Sequence, residues 1–350
     1  ERAMLEVSGT ANGALQSMLA YVSATPVSSW IDGVTDEFAT TGNARLALKL
    51  QMSLLDPTES TVQGAVHFIG NELQLARDMP ALQQTAGNLS FSEKGFQLNG
   101  VQGAFLGGPA QVSGGSQRDG SVQIKVEGNA VAEGVANAFH SQDLRRLMKK
   151  FSGSTRYNAV LRIKDERPQL TIESSLAGLA IDLPTPLNKT ATEILPLRIL
   201  LSPVPPYEQA TRSEEIRVNL GKAFAARYIR QRPNGKNMPW KLVRGGIGVN
   251  SPLPQPDSGL AANVNLPVLN IDLWRNAVSA LLPESGVPDN TQGAGSADFA
   301  AYLLPDLLGI RANQLIVADK TFNNAVLGAS RPRGNWQVNI HSDQVVGYAT

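Results

Sequence analysis

The chain has 350 residues with 31 basic and 30 acidic side chains, so its charge is balanced. Nucleic-acid surfaces need clustered Lys and Arg, and no block of like charge occurs here, so we expect no nucleic-acid partner. The sequence contains no cysteine, which excludes disulfide bonds and thiolate metal sites and fits an oxidising compartment. No apolar run approaches the ~20 residues that cross a bilayer.

The first 40 residues form a leading segment whose pattern is ambiguous. Residues 4–7 (MLEV) are typical of a strand, whereas residues 14–22 (ALQSMLAYV) have the apolar spacing of a helix. The chain begins without an initiator methionine, and its last residues resemble the middle of a strand. We therefore expect a piece of a longer protein, with any targeting or anchoring segment outside it.

From residue 41 onward, apolar and polar residues alternate in short runs. Leu46, Leu48 and Leu50 form the apolar half of one run, and Val66 and Phe68 belong to the next. Strict alternation is typical of a strand with one dry face and one wet face. Segments rich in Gly, Asn, Asp and Pro separate the runs, as expected for turns between antiparallel strands.

The longest alternating stretch is residues 157–189, and we expect the sheet to be organised around it. A turn sequence at 165–168 divides it into two strands. At 177–178 the apolar phase slips by one residue, which predicts a β-bulge rather than an end to the sheet. The stretch closes on two prolines within 183–186, which cannot occupy a central strand.

Two further segments have helical spacing. Residues 136–151 place Leu144, Leu147, Met148 and Phe151 on one face, and residues 268–282 (VLNIDLWRNAVSALL) precede a proline. We predict an amphipathic helix for each segment and strands for nearly all the remaining sequence.

The predicted organisation has four parts. They are a leading strand and helix segment at 1–40, a main antiparallel β region at 41–283, a polar, glycine-rich flexible loop at 284–297, and a continuing β segment at 298–350.

By the spacing rules for strands and turns, these patterns predict roughly fifteen to eighteen strands and only two helices. Two helices cannot cover the dry face of so many strands. The sheet must fold against itself as a sandwich or barrel, or leave a groove that something else fills. An open apolar trough of this size would exceed the few hundred Å² that a soluble monomer tolerates, so we expect a groove to be filled, and lipid is a physically suitable filler.

The sequence provides little that catalysis or metal binding would need. His67, His140 and His341 are far apart in the sequence, and no spacing suggests that they converge on a metal. The G-x-S-x-G elbow of a hydrolase is missing. Glu214 and Glu215 are adjacent, so on a strand they point to opposite faces and make a poor acid/base pair. We therefore expect no catalytic residues, no cofactor, no metal site and no enzyme activity.

Several stretches, taken together and in order, resemble the AsmA-like superfamily of Gram-negative envelope proteins, in particular its large YhdP-type branch. The similar stretches are 42–50 (GNARLALKL), 62–71 (VQGAVHFIGN), 87–109, 151–157, 176–189 (LAGLAIDLPTPLNK), 196–197 and 336–347. They span nearly the whole chain.

This resemblance implies a long, strongly twisted antiparallel sheet curled into an open, taco-like groove in the periplasm. Such proteins are thought to bridge the inner and outer membranes and to carry phospholipids along the groove. The expected partners are phospholipids, an inner-membrane anchor outside this fragment, and outer-membrane or periplasmic proteins. The expected location is the periplasm of a Gram-negative cell envelope, with a tether to the inner membrane through a part of the chain not present here.

The residues that we predict to line the groove are the apolar members of the clearest alternating runs. They are Leu46, Leu48, Leu50, Val66, Phe68, Leu161, Ile163, Leu170, Ile172 and Ile181.

The same sequence is compatible with two other functions. One is a structural or adhesive β-rich envelope domain whose apolar residues form an ordinary closed core with no lipid. The other is a hydrolase on a β scaffold, which requires polar residues that converge in one cleft.

Overall fold

A computed structural model of the chain describes ten segments. They are residues 4–23, 38–53, 61–75, 79–139, 142–165, 167–205, 211–233, 238–281, 300–331 and 335–350. Within them, strands predominate and the helices are short.

The described strands are numbered in chain order. They are β1 Met4–Ala14, β2 Ala39–Thr41, β3 Asn43–Ser53, β4 Thr61–Gln74, β5 Leu82–Ser92, β6 Gly95–Phe105, β7 Gly108–Ser116, β8 Val122–Val131, β9 Phe151–Lys164, β10 Arg167–Ser174, β11 Leu179–Ile181, β12 Leu197–Pro203, β13 Thr211–Leu220, β14 Phe224–Pro233, β15 Lys241–Val249, β16 Gly259–Asn270, β17 Leu307–Val317, β18 Lys320–Ser330, β19 Gln337–His341 and β20 Val346–Ala349. The described helices are α1 Leu15–Ser23, α2 Ala132–Ala138, α3 Gln142–Met148, α4 Ile271–Leu281 and α5 Ala300–Leu303.

The chain forms two compact units. The first contains residues 1–140 and 156–168, and the second contains residues 141–155 and 169–350. The fold class is confirmed, because the described chain is mainly β and its sheet is mostly antiparallel and open. The predicted divisions at residues 40, 283 and 297 stay predictions, and the predicted flexible loop at 284–297 lies outside the described residues.

The sheet of the first unit is antiparallel throughout its described pairings. Its spatial order is β1–β3–β4–β5–β6–β7–β8, and β2 adds to the far part of β4. Glycine allows one close contact within it. A Cβ on Gly64 would lie 2.3 Å from the ring of Phe91 on the neighbouring strand, so this ring occupies the space that a side chain at position 64 would need.

Helix α1 closes one end of this sheet. The backbone N–H of Leu15 donates to the carbonyl of Gly42 at 3.0 Å, and the Leu15 side chain is buried against Ala44, Phe68 and Leu82. The segment 14–22, whose pattern is ambiguous but has helical spacing, is thus largely α1, which covers Leu15–Ser23. Because α1 leaves β1 directly, it can reach only the sheet end at which β1 finishes.

The second unit contains a sheet of ten strands in the order β10–β12–β13–β14–β15–β16–β17–β18–β19–β20. The prediction of an antiparallel sheet is wrong at two pairings, because β15 with β16 and β16 with β17 run parallel. Parallel neighbours need a connection that returns along the sheet. The one between β16 and β17 includes α4 and α5.

The connection between β15 and β16 is short, and two glycines make room for it. It covers residues 250–258 and contains prolines at 252, 254 and 256. A Cβ on Gly246 would lie 2.1 Å from the carbonyl oxygen of Pro254, and one on Gly248 would lie 2.4 Å from that of Ser251. The extended loop thus lies against the backbone of β15, which larger residues would prevent.

The helix predictions need correction in number and bounds. The described residues contain five helices, not two. The predicted helix at 136–151 is two short helices, α2 and α3, because Phe139 has an extended backbone that ends α2, and Phe151 already belongs to β9. The predicted helix at 268–282 begins at Ile271, because the Asn270 side chain accepts a hydrogen bond from the Leu273 N–H at 3.0 Å and caps the helix there.

The predicted bulge at 177–178 is also wrong. Leu176 and Gly178 have φ angles of 51° and 89°, and the Leu179 N–H donates to the Leu176 carbonyl at 3.2 Å, which makes this segment a turn. After the turn, β11 does not continue with β10 and β12. It pairs with Phe151–Gly153 at the start of β9 instead.

Asn71 holds the irregular part of β4, where the pairing with β5 shifts register. Its side chain is fully buried, donates to the carbonyls of Thr41 (3.0 Å) and Asn43 (3.2 Å), and accepts from the Ile69 N–H (2.8 Å). We expect Asn71→Ala to lower the free energy of unfolding by about 3 kcal/mol, because buried backbone groups lose their partners. Urea denaturation measures this.

The control for this prediction is Asn99→Ala on the same sheet. Asn99 is exposed and makes a hydrogen bond to Ser90 Oγ at 3.1 Å. Surface changes of this kind usually alter stability by less than about 0.5 kcal/mol. Equal losses of unfolding free energy for the two variants would show that Asn71 does not specifically stabilise the register shift.

Candidate functional site

The first unit presents one apolar sheet face, which we call the first apolar face. Ala11, Leu46, Val66, Leu89 and Leu98 stand opposite one another in turn on β1, β3, β4, β5 and β6. Directly opposite residues in a sheet share a face. The alternation within each strand and the register between strands therefore produce an apolar row that crosses five strands.

The other face of this sheet is polar and its side chains bond across strands. Glu6 contacts Lys49 at 3.0 Å, Arg45 donates to Asn12 at 3.2 Å, and His67 bonds Asn88 at 2.8 Å. Exposed pairs of this kind contribute little stability individually. Their arrangement does show which face is adapted to water.

Residues on the first apolar face are only partly covered. Leu46, Leu48, Leu50 and Val66 are half-buried, and at the β1 side Val7 is 45% exposed. The packed cluster on this face consists of residues from the sheet itself and from α1. The side chains thus pack beside one another along the sheet, and the described cluster contains no second layer of strands from this unit.

The second unit presents an apolar face of the same kind, the second apolar face. One row crosses eight strands, each member directly opposite the next, and consists of Leu197, Leu220, Phe224, Val249, Val264, Ile310, Leu327 and Ile340. Two residues along the strands, a parallel row crosses nine strands and consists of Ile172, Ile199, Val218, Ala226, Ile247, Ala262, Leu308, Ala329 and Val338. Strands lie about 4.8 Å apart, so the first of these rows is about 34 Å wide.

Helices cover parts of the second apolar face. Ile271 and Trp274 of α4 pack on the cluster around Leu315, where β16 ends. Tyr302 of α5 packs on Tyr228, with ring centroids 5.3 Å apart, and its carbonyl accepts a hydrogen bond from the Tyr228 hydroxyl at 3.1 Å. Burial beneath this cover raises the pKa of Tyr228 above its ordinary value.

Five of the predicted groove residues lie on the first apolar face. Leu46, Leu48, Leu50, Val66 and Phe68 occupy its side of β3 and β4, where Leu46 faces Val66 directly. Phe68 differs from the others, because it is only 5% exposed and belongs to the closed end beneath α1.

Four of the remaining predicted residues are half-buried members of strands. Leu161 and Ile163 lie in the part of β9 that belongs to the first unit. Leu170 and Ile172 lie on the second apolar face, opposite Leu201 and Ile199 respectively. The predicted residues are thus distributed over both units.

Ile181 does not lie on either apolar face. It is 4% exposed, belongs to β11, and exchanges backbone hydrogen bonds with Lys189. The prediction relied on a bulge that would keep β11 in the main sheet, and the turn that replaces the bulge removes Ile181 from it. A cavity of about 300 Å³ adjoins this residue and is also lined by Lys149, Lys150 and Lys189.

Most members of the two apolar faces were not predicted as lining residues. The signal was present, since Leu89, Leu98, Val218 and Val264 all lie in alternating runs. Only the register shows that these runs align across strands, and a single sequence does not contain it.

The polar candidates from the sequence are the three histidines and the adjacent pair Glu214 and Glu215. His67 and His341 are exposed, and His140 lies outside the described residues. Within the ten described segments, no group of three or more His, Asp or Glu side chains could hold a metal ion. The helices of those segments are all too short or too polar to span a membrane.

Glu214 and Glu215 point to opposite faces of β13, as the alternation predicted. Glu215 lies on the polar face, where Arg217 (2.9 Å) and Arg227 pair with it. Burial acts to raise its pKa, but the hydrogen bonds from these two arginines together hold that pKa below 4.5. Glu214 lies on the second apolar face beside Arg230, and burial there raises its pKa above 4.5 despite the arginine.

A family model described as YhdP protein matches residues 1–350. Searches of curated proteins and of solved structures found no match.

The neighbouring carboxyl groups on β13 provide a pH test of the two-faced sheet. We expect Glu215 to titrate below pH 4.5 and Glu214 above it, because arginines dominate on one face and burial on the other. NMR titration of the carboxyl carbons measures both, with Glu214→Gln and Glu215→Gln for assignment. Titration of both groups on the same side of pH 4.5 would contradict the assignment of faces.

The lowered pKa of Glu215 also determines in which direction pH changes the stability of the fold. The ionised Glu215 contributes stability above the ordinary glutamate pKa, and this contribution is lost as the pH falls through its lowered folded-state pKa. Acid unfolding of Glu215→Gln should therefore show a weaker pH dependence below pH 4.5 than that of the original chain.

Proposed function

Because the chain belongs to the YhdP family, we propose that its two apolar faces bind the acyl chains of phospholipids and conduct them between the inner and outer membranes. Membership of this family indicates a cell-envelope protein of the bridge-like lipid-transport kind. The chain is then one segment of a periplasmic bridge, held at the inner membrane by a further segment and meeting protein partners at its ends. It binds tails non-covalently and performs no catalysis.

One observation carries this proposal. Apolar side chains stand in register in rows that cross up to nine strands, while members such as Leu48 and Val218 are only half-buried. Exposure of apolar surface to water costs about 25 cal/mol per Å². Soluble proteins rarely leave large continuous apolar patches uncovered unless they bind something there. Acyl chains are apolar along their whole length, so they match a surface that offers no polar partners.

The dimensions of the strands suit such a ligand. A strand of seven or eight residues spans about 25 Å. The tails of one leaflet occupy about 15 Å, half the thickness of a bilayer's hydrocarbon core. A tail can therefore lie along a strand with its headgroup at the strand end, in water. In this arrangement each apolar face forms the floor of a groove, and the polar face of the same sheet is its outer wall.

The proposal predicts which side of the sheet meets lipid. We expect a photo-crosslinking residue at Leu48 or Val218, on the apolar faces, to capture phospholipid from cell envelopes. The same residue at Lys49 or Asn219 should not, because these neighbours point to the opposite faces. Mass spectrometry of the crosslinked adducts and of lipid extracted from the purified protein measures both.

The neighbouring positions are matched controls, because each pair shares its strand and differs only in face. Equal capture at Leu48 and Lys49 would mean that contact is non-specific. No capture at any position and no extractable lipid would favour a structural envelope domain with a closed core.

A further inference from the structure

The second apolar face ends in a group of charged residues at the strand ends farthest from α4. On β13 and β14 the apolar pair Ile216 and Tyr228 is followed by Glu214 opposite Arg230, and then by Arg212 opposite Arg232. The register between these two strands is unbroken, so all three pairs share one face. The headgroup of a lipid whose tails lie on that face would be at this end.

Trp240 completes this group, which we call the arginine cluster: Arg212, Arg230, Arg232, Trp240 and Glu214. The guanidinium carbons of Arg230 and Arg232 lie 4.5 Å and 4.7 Å from the centroid of the indole ring. A guanidinium that stacks on a ring uses its face for the contact. Its N–H groups lie in the plane of the group and stay available for an acceptor at the edge.

The charge in the arginine cluster is not balanced by the described residues. Three guanidiniums accompany one carboxylate, Glu214, so the net charge is 3 − 1 = +2. Arg212 stands directly opposite Arg232, and like charges in that position repel each other. Glu214 pairs with Arg230 and also attracts Arg232, so one carboxylate serves two arginines. An anion would therefore stabilise the adjacent pair Arg212 and Arg232.

We propose that the arginine cluster binds the phosphate group of a phospholipid whose acyl chains lie on the second apolar face. This inference rests on the proposed function and adds that the face recognises one end of the lipid. Arginine suits the role because its planar fork donates two parallel hydrogen bonds to one phosphate. Arg232 and Arg212 supply such forks from two adjacent strands, and Trp240 holds one of them in place.

The spacing along β13 agrees with this placement. Its apolar residues Ile216 and Leu220 are half-buried, whereas Tyr302 covers Tyr228 on β14. Ile216 is two residues, or about 7 Å, from Glu214, and Leu220 is six residues, or about 20 Å, from it. The apolar stretch between Ile216 and Leu220 is therefore about 13 Å long, close to the ~15 Å of one leaflet's tails. A phosphate at the cluster places the first tail carbons at Ile216.

The test compares two ligands that share tails and differ in the phosphate. They are phosphatidylglycerol and diacylglycerol, each with the same fluorescent acyl chain, titrated against the 350-residue chain. For Arg212→Gln combined with Arg232→Gln, we expect phosphatidylglycerol binding to weaken about tenfold, since charge-assisted hydrogen bonds are lost. Diacylglycerol binding should not change. Thermal melting checks that the variant folds.

Arg198→Gln is the matched control. Arg198 is an exposed arginine on β12 that points to the polar face and pairs with Glu173 at 3.5 Å. Its removal lowers the net charge without touching the cluster, so it should leave both affinities unchanged. Equal weakening of phosphatidylglycerol binding by this control would overturn the assignment to the cluster.

Glu214→Gln gives a result in the opposite direction, which a purely structural role would not produce. Removal of the carboxylate that competes for Arg230 should tighten phosphatidylglycerol binding several-fold and leave diacylglycerol binding unchanged. Weaker phosphatidylglycerol binding in this variant would overturn the inference.

The remaining outcomes separate this inference from the proposed function. If the original chain binds both lipids and the double arginine variant keeps the same ratio of affinities, only the phosphate site is refuted. If the original chain binds neither lipid, both proposals fail. Inorganic phosphate in excess should displace little phosphatidylglycerol, because it lacks tails, and full displacement would show a free-phosphate site instead of a headgroup site.

Discussion

Cross-strand register is the constraint on which both units depend. Side chains on a strand alternate between faces, so a slip of one residue between two strands would move every apolar side chain of one strand to the wet side. In the second unit this constraint holds across eight strands, from Leu197 to Ile340, and through two parallel pairings. The backbone hydrogen bonds between strands fix the register, and the register places aliphatic side chains of one strand directly opposite aliphatic side chains of the next. The polar face follows from the same alignment, because Glu215 on β13 can reach Arg227 on β14 only while the two strands keep their pairing.

The helices contribute by covering ends, and their positions explain which parts of the apolar faces stay half-buried. Helix α1 follows β1 without a break and therefore covers the Ala44 and Phe68 end of the first sheet. In the second unit, α4 begins where the Asn270 cap ends β16, so Trp274 lies over the end of the sheet rather than its middle. Short helices attached directly to strand ends cannot extend across ten strands, which at about 4.8 Å per strand is more than 40 Å. Helix α5 covers Tyr228 on β14 in addition. The parts of each sheet that these helices do not reach are left to other cover, which is where the proposed lipid tails lie.

Local patterns predicted the local structure well and the non-local structure poorly. Alternation placed Leu46, Leu48 and Leu50 on one face because period two is a property of a single strand. Alternation could not place Ile181, because a phase slip at 177–178 is compatible with both a bulge and a turn. The residue that pairs with Ile181 is Phe151, which lies about thirty residues away in the sequence, beyond the reach of a local pattern. The parallel pairing of β15, β16 and β17 was missed for the same reason, since strand direction depends on where the connecting loop returns. The sequence did contain a local signal for the arginine cluster. Tyr228, Arg230 and Arg232 are spaced two residues apart, so they share one face of β14, where charged side chains follow the apolar ones.

The uniformity of the apolar rows bears on how a surface could hold a lipid tail and still let it move. Transfer of a tail from an apolar face to water costs about 0.8 kcal/mol for each CH₂ group, so a tail of a dozen or more such groups is held firmly. A shift along the rows is different, because the tail leaves Leu and Val on one strand and meets Leu and Val on the next. The hydrophobic effect is non-directional and depends on the area covered, which such a shift hardly alters. Escape is therefore costly while sliding is not, and this difference follows from aliphatic side chains repeated in register. A few deep aromatic or polar contacts would instead create stopping points, and the one that we propose on the second apolar face is the arginine cluster at its end.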